Sequence, residues 1–161
     1  MSREFRKWVE EYQDSAWTLA RYMLKDDSEA EDATQEAFVK LWNNQKKIDP
    51  NSIKPWLMRV TRNHCLDRLR RRKPETEFVD YQSVDEHEPM RALEQSELGL
   101  WLKRAIAGLK EPYRSLVVLR DIQQNSYEEV AGVMELSMSQ VKVYLHRARK
   151  QLREQLAEVR P

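Results

Sequence analysis

The clearest chemistry in this sequence lies in one short basic segment, "KPWLMRVTRNHCLDRLRRRK", at residues 54–73. It contains eight Lys and Arg and a single Asp, a net charge of +7. Guanidinium groups bind phosphates through paired N–H donors, and an amide such as that of Asn63 can both donate to and accept from a base edge. Residues of these types on one segment are typical of a surface that contacts nucleic acid.

The spacing of four polar residues supports this interpretation if the segment is helical. Arg59, Asn63, Asp67 and Arg70 stand at positions i, i+4, i+8 and i+11, which share one stripe of a helix. A plain surface ladder, with Asp67 paired to Arg70 or Arg71, is the alternative. Such a ladder leaves a run of three adjacent arginines unexplained, so nucleic acid is the preferred interpretation. The candidates for phosphate contacts are Arg68, Arg71, Arg72 and Lys73.

Charge is sorted along the rest of the chain as well. Residues 74–100 contain one Arg against eight Asp and Glu, a net charge of −7, whereas the whole chain is only +1. Residues 1–53 carry −3, from eight basic and eleven acidic residues, and residues 101–161 carry +4, from eleven basic and seven acidic residues. Separation of charge on this scale indicates charged partners.

The composition predicts an all-α protein. The 161 residues include only three Gly and six Pro, while helix-forming Leu, Ala, Glu, Lys and Arg are plentiful. No apolar run approaches the ~20 residues of a membrane span, so no membrane insertion is expected. The charged N-terminus lacks the apolar core of a signal peptide. A single cysteine, Cys65, cannot form an internal disulfide, which fits a cytoplasmic location.

The residues that could hold a metal or catalyse a reaction are scattered. His64, His87 and His146 are far apart in sequence, and none has metal-ligand spacing with Cys65 or with another histidine. The sequence also lacks a Gly-rich phosphate loop and a recognisable nucleophile motif. We therefore expect neither an enzyme nor a bound cofactor or metal.

The N-terminal part has the pattern of three helices. Residues 4–24 repeat apolar side chains at helical spacing, and Ser28 with Glu31 predicts a capping box that opens a second helix. Residues 43–52 have turn chemistry, and the basic segment follows as a third helix. Three such helices can bury one core, which predicts a first domain at residues 1–73.

Residues 74–93 are acidic and have no helical period, which predicts a flexible linker. A solvated loop packed on one domain through its few apolar residues is the alternative. Helical patterns resume at residues 96–109 and 111–124, within a second small domain predicted at residues 94–161.

The strongest local pattern is a helix-turn-helix that begins at Ser126. Ser126 with Glu129, and Ser137 with Gln140, predict the caps of two successive helices, and Ala131 is small where the helices must cross. The outward residues of the second helix could enter a major groove. They are Ser139, Gln140, Lys142, Val143, His146, Arg147, Arg149 and Lys150. An amphipathic hairpin with a merely solvated basic face is the alternative.

Three motifs in this order resemble the extracytoplasmic-function class of bacterial sigma factors, over nearly the whole chain. "EDATQEAFVKLW" is similar to the segment that grips the clamp helices of RNA polymerase. "IKPWLMRVTRNHCLDRLRRRK" is similar to the segment that reads and melts the minus-ten element. The segment from "LKEPYRSLVVLRDIQQNSYEEV" to the second helix of the helix-turn-helix is similar to the domain that reads the minus-thirty-five element.

The resemblance implies three sets of binding residues. Those implied for core polymerase are Asp32, Gln35, Glu36, Phe38 and Trp42. Those implied for minus-ten DNA are Arg59, Arg62, Asn63, Asp67, Arg68, Arg70, Arg71, Arg72 and Lys73. Those implied for minus-thirty-five DNA are Ser139, Gln140, Lys142, Val143, Tyr144, His146, Arg147, Arg149 and Lys150.

The resemblance also implies partners: the clamp helices and flap of core RNA polymerase, promoter DNA and an anti-sigma factor. Val143 and Tyr144 depart from the small residue and Arg that often follow the position of Lys142 in the family, which suggests an individual minus-thirty-five preference. Trp56 matches a family tryptophan, although its spacing to Val60 favours a core role over a melting wedge. A self-sufficient helix-turn-helix regulator is the main alternative function, and an adaptor for acidic protein partners is another.

Overall fold

The computed structural model describes residues 2–72 and 96–159, and every regular element within these ranges is a helix or a helical turn. The prediction of an all-α fold is confirmed. The predicted linker, residues 74–93, and Lys73 lie outside the described residues. The α-helices run α1 (Arg3–Leu24), α2 (Asp27–Asn44), α3 (Ile53–Arg71), α4 (Glu97–Ala107), α5 (Tyr113–Val117), α6 (Tyr127–Met134) and α7 (Met138–Val159).

The start of α2 differs from the sequence-based expectation. The side chain of Asp26 caps the helix by accepting a hydrogen bond of 2.9 Å from the N–H of Glu29. The predicted Ser28–Glu31 capping box is therefore wrong, because an aspartate two residues earlier serves equally well as an N-cap and begins the helix sooner. Asp27 and Glu29 supply the first-turn negative charge that the helix dipole favours.

The predicted helix at residues 111–124 is interrupted. It consists of α5 followed by a π-helical turn at Val118–Ile122. The N–H of Gln123 bonds to the carbonyl of Val118, five residues back, at 2.9 Å. A wider turn of this kind shifts the register of the following residues; π-helices are rare and occur mostly as single turns such as this one.

The helix-turn-helix forms as predicted. Ser126 accepts a hydrogen bond from the N–H of Glu129, and the Glu129 carboxylate accepts one from the N–H of Ser126, which completes a capping box for α6. Ser137 and Gln140 make the same reciprocal pair at the start of α7. Glu135 adopts a left-handed conformation with φ of 57° and turns the chain between the two helices.

One apolar core joins the two halves of the chain. Leu19 and Met58 of the N-terminal half belong to the same cluster of buried side chains as Leu116 and Leu145 of the C-terminal half. A second, smaller cluster lies within the N-terminal half alone, and Trp56 packs against it, which confirms its core role. The two domain boundaries stay predictions, and the described parts of the two halves contact each other directly.

Candidate nucleic-acid interface

The second helix of the helix-turn-helix, α7, has two opposite faces. Its core face is buried and consists of Val141, Leu145, Ala148 and Leu152. Its opposite face is exposed and mostly polar or cationic. The exposed residues are Ser139, Gln140, Lys142, Val143, His146, Arg147 and Lys150. Burial of one stripe fixes the orientation of the helix, so these seven side chains are presented together to solvent.

Four of the nine residues predicted for minus-thirty-five DNA have partners within their own half of the chain. Arg147 is one of them, since its guanidinium lies 5.6 Å from the ring centroid of Tyr144. Tyr144 packs edge-on against Tyr113, with ring centroids 6.1 Å apart. Arg149 forms two hydrogen bonds to Asp121, at 2.6 and 3.1 Å, and these bonds raise the pKa of its guanidinium. The side-chain oxygen of Gln140 is used by its cap, which leaves the amide N–H₂ to face solvent.

The basic helix α3 is divided between exposed and engaged side chains. Asn63 is exposed, one helical turn from both Arg59 and Asp67. Arg59 and Arg62 instead reach the C-terminal half, where Arg59 donates to the carbonyl of Gly132 at 2.8 Å and Arg62 pairs with Glu111 at 3.2 Å. The sequence did not reveal these contacts, because they join residues 49 and 73 positions apart.

The exposed end of α3 contains one of the ion pairs that the alternative interpretation, a surface ladder, predicts. Arg70 lies 3.1 Å from Asp67, one helical turn earlier, and both side chains are largely exposed. An exposed pair of this kind contributes at most about 1 kcal/mol. Arg70 therefore keeps a charge that DNA can attract, and the neighbouring Arg71 is exposed as well.

Two further arginines of the basic segment face α2. Arg72 pairs with Glu29, and Arg68 lies 3.9 Å from both Glu29 and Asp32. Arg68 also donates to Nε2 of His64 at 3.2 Å. Burial and then the Arg68 charge lower the pKa of His64, which keeps that ring nitrogen free to accept.

The residues predicted to bind polymerase occupy α2, where they fall into two groups. Asp32, Gln35 and Glu36 are exposed. Phe38 is only 8% exposed and packs against Phe5, so it supports the surface from beneath.

The apolar part of the α2 surface contains one residue more than the sequence predicted. Trp42 is 43% exposed and stacks edge-on on Phe5 at 5.0 Å. Val39, which sequence reasoning missed, is 56% exposed. Its position one turn after Gln35 and Glu36 was the signal that could have revealed it.

An open groove between α1 and α2 extends this surface. Its apolar lining includes Val9, Trp17 and Trp42, and its lining also includes the carboxylates of Asp14 and Glu31. An apolar groove bordered by acidic groups suits an amphipathic helix with basic residues along its edges.

Cys65 lies inside the shared core and has no exposed surface. Burial raises the pKa of its thiol to about 12, so the thiol stays protonated and behaves as a small apolar side chain. In the part of the chain that the structure describes, no helix is long and apolar enough to cross a membrane.

A helix-turn-helix with an exposed cationic second helix, joined to another basic helix, defines a DNA-binding protein. Comparison with known families is more specific. The family described as Sigma-70 region 2 matches residues 8–75, and the family described as Sigma-70, region 4 matches residues 99–152.

Individual relatives agree with these two matches. ECF RNA polymerase sigma factor SigW of Bacillus subtilis is 32% identical over 96% of this chain and 90% of its own length. SigE of Mycolicibacterium smegmatis is 34% identical over 93% of this chain, which spans 60% of that longer relative. The solved structure of the sigma factor RpoE in complex with the anti-sigma factor NepR from Bartonella quintana aligns with 99% of this chain and 100% of its own chain. That alignment has a TM-score of 0.77 and 25% identity.

The chain therefore belongs to the extracytoplasmic-function sigma factors of the sigma-70 family, which direct RNA polymerase to promoters. Members of this family are transcription initiation factors, not known enzymes.

Proposed function

We propose that this chain binds core RNA polymerase and directs it to promoters by reading a minus-thirty-five element with α7 and a minus-ten element with α3. The observation that carries the proposal is the outward face of α7, where seven exposed side chains lie opposite a fully buried stripe. A helix presented in this way fits the major groove of B-DNA. The family matches to both halves support the same assignment.

Base reading and phosphate binding would fall to different exposed residues of α7. Gln140, Lys142 and Val143 lie near its N-terminal end, which enters the groove first in a helix-turn-helix. Arg147 and Lys150 follow and would contact phosphates. Arg149 and Tyr144 act mainly by holding the helix in place, because Asp121 and Tyr113 already bind them.

The minus-ten element would be read at Asn63. Its amide is exposed and lies on the same stripe as Arg59, Asp67 and Arg70. An extruded base needs a hydrogen-bonding group that repays the few kcal/mol of unstacking, and an amide can both donate and accept. The arginines at the end of α3, with Lys73, would hold the DNA backbone and assist melting.

Core polymerase would bind the exposed surface of α2. Asp32, Gln35 and Glu36 supply polar contacts to the clamp helices, and Val39 and Trp42 add apolar area. The C-terminal domain would contact the flap. The complex of RpoE with NepR supports an anti-sigma factor as a further partner. A factor with these partners works in the cytoplasm, where the polymerase acts.

Reconstituted transcription tests the proposal. The chain, added to core polymerase, should direct initiation at promoters selected from a random library, whereas core polymerase alone should not. A stand-alone regulator would instead bind its site tightly without core polymerase and, as a dimer, protect paired half-sites. Tight binding of that kind without any effect on initiation would contradict the proposal.

A further inference from the structure

The start of α7 is closed by a reciprocal pair of hydrogen bonds. The backbone N–H of Gln140 donates to the hydroxyl oxygen of Ser137 at 3.1 Å. The side-chain oxygen of Gln140, Oε1, accepts from the backbone N–H of Ser137 at 2.9 Å. Gln140 is nevertheless exposed, because it stands on the outward face of the helix. The cap therefore fixes the orientation of an exposed side chain that would otherwise be free to rotate.

The chemistry of the cap determines which part of the Gln140 amide stays free. A backbone N–H can only donate and an amide nitrogen does not accept, so the atom that faces the N–H of Ser137 must be oxygen. Because oxygen and nitrogen point in different directions from the amide carbon, an oxygen turned to the backbone leaves Nε2 turned outward. Within the described residues, no group accepts a hydrogen bond from Nε2. Gln140 thus presents two N–H donors to a partner from outside.

The cap of α6 shows that such a pair does not itself require glutamine. There the carboxylate of Glu129 accepts from the N–H of Ser126 at 3.0 Å, and the N–H of Glu129 donates to the hydroxyl of Ser126 at 3.1 Å. A carboxylate also complements the positive end of the helix dipole, which a neutral amide does not. Capping alone would therefore favour Glu at the start of α7. Two properties distinguish the Gln found there, namely the lack of a negative charge and the pair of N–H donors.

The surroundings of Gln140 suit a contact with base edges. Val143 and Arg147 follow it at i+3 and i+7, on the same stripe of the helix, and both are exposed. The sequence has no acidic residue from Met138 to Arg153. Along this stretch of α7, no carboxylate competes with a base for the two donors.

We propose that Gln140 selects guanine at one position of the minus-thirty-five element. In the major groove guanine presents two acceptors, N7 and O6, and each N–H of Nε2 can donate to one of them. Adenine presents its N6 amino group beside N7, and cytosine presents its N4 amino group, so both place a donor against a donor. Thymine offers a single acceptor, O4. The pairing of glutamine with adenine needs the side-chain oxygen, which the cap holds. The inference rests on the proposed function, and it adds which base this side chain accepts.

The test exchanges the donors for an acceptor and keeps the cap. In Gln140→Glu one carboxylate oxygen can still accept from the N–H of Ser137, as a glutamate does in the cap of α6, and the outward oxygen can only accept. The matched control, Ser139→Asp, adds the same charge at the neighbouring exposed position and leaves Gln140 unchanged. Each chain is bound to core polymerase. Affinity is measured for promoter duplexes that the wild-type holoenzyme selects from a random library, with each of the four bases at every position of the minus-thirty-five element. Circular dichroism checks the helicity of each chain.

At one position the wild-type holoenzyme should bind guanine about tenfold more tightly than adenine. Replacement of that guanine by 7-deazaguanine, which lacks the N7 acceptor, should weaken binding. Ser139→Asp should keep both differences. Gln140→Glu should lose them at that position alone, and it should favour cytosine there, because the N4 amino group donates to a carboxylate.

The proposal is overturned if Gln140→Glu keeps the guanine preference at every position. It is overturned as well if Gln140→Glu only weakens binding to all four bases by the same factor as Ser139→Asp, since charge alone would then explain the effect, or if wild type prefers guanine nowhere in the element. If Gln140→Glu loses helicity, Gln140→Ala carries the same test: the guanine preference should disappear without a new preference for cytosine, and its persistence overturns the proposal. Failure of the wild-type holoenzyme to select any minus-thirty-five element would instead refute the proposed function.

Discussion

Val143 makes a sharp prediction about the minus-thirty-five element. At 100° per residue it lies about 200° around α7 from the buried Val141, and it is 46% exposed in the middle of the outward face. In a helix inserted into the major groove, this position points toward the base edges. A hydrocarbon side chain has no donor or acceptor, so it can distinguish a base only by contact with the C5-methyl group of thymine.

The perturbation removes that methyl group alone, by replacing thymines of the element one at a time with uracil. Burial of one methyl-sized group contributes about 0.8 kcal/mol, which corresponds to roughly a fourfold change in affinity. Binding of the holoenzyme to each duplex should weaken by about this factor at one or two positions. With Val143→Ala, the difference between thymine and uracil at those positions should largely disappear.

A matched control separates base reading from general attraction. Arg147→Ala should weaken binding to thymine and uracil duplexes by the same factor, because a phosphate contact carries no sequence information. The reasoning about Val143 is refuted if wild-type binding ignores every uracil, or if Val143→Ala keeps the wild-type discrimination.

Three further predictions concern one side chain each. Asn63→Ala should leave binding to core polymerase intact and impair open-complex formation. It should also relax the base preference at one position of the non-template strand, on duplex and premelted templates alike. An unchanged base preference on both templates would show that Asn63 does not read a base. The hydrogen bond from the N–H of Ser126, followed by that from Lys54, lowers the pKa of Glu129. Glu129 therefore stabilises the fold above the unfolded pKa near 4.5, and this contribution is lost as pH falls through the lower folded pKa. The urea concentration at the midpoint of unfolding should accordingly fall less at acid pH for Glu129→Gln than for wild type. An equal fall for both proteins would contradict this. Cys65, with a pKa of about 12, should react with a thiol reagent at pH 8 on the order of 1,000-fold more slowly than in urea, and comparable rates would show that the core opens readily.

Much of the local structure could be predicted from the sequence. Ser126 with Glu129, and Ser137 with Gln140, mark the two helix starts, because capping depends on residues only three positions apart. The start of α2 was missed for the same local reason, since Asp26 competes with Ser28 and both residue types cap well. The π turn at Val118–Ile122 has no local signal of that kind.

The contacts of α3 with the C-terminal half could not be predicted from the sequence, for a chemical reason. A guanidinium group binds carboxylates, carbonyls and phosphates by the same N–H donors. The stripe that includes Arg59 therefore indicates an oxygen-rich partner without saying which one. The partner found here, Gly132 with Glu135, is 73 or more positions away along the chain, and only the packing of the two halves reveals it.

The polymerase surface and the basic segment meet at Asp32, and this meeting decides which substitution tests polymerase binding cleanly. Arg68 lies 3.9 Å from both Asp32 and Glu29, so Asp32→Ala would remove one of the two carboxylates beside this cation of α3 as well as a proposed contact to the clamp helices. The two effects oppose each other in a promoter assay, because the loss of a negative charge beside Arg68 favours attraction of DNA. Gln35 is exposed on the same helix and carries no charge. Gln35→Ala should therefore weaken binding to core polymerase while changing the free energy of unfolding by less than about 0.5 kcal/mol. Normal core binding by this variant in a competition assay, at unchanged helicity, would move the polymerase contact away from this face of α2.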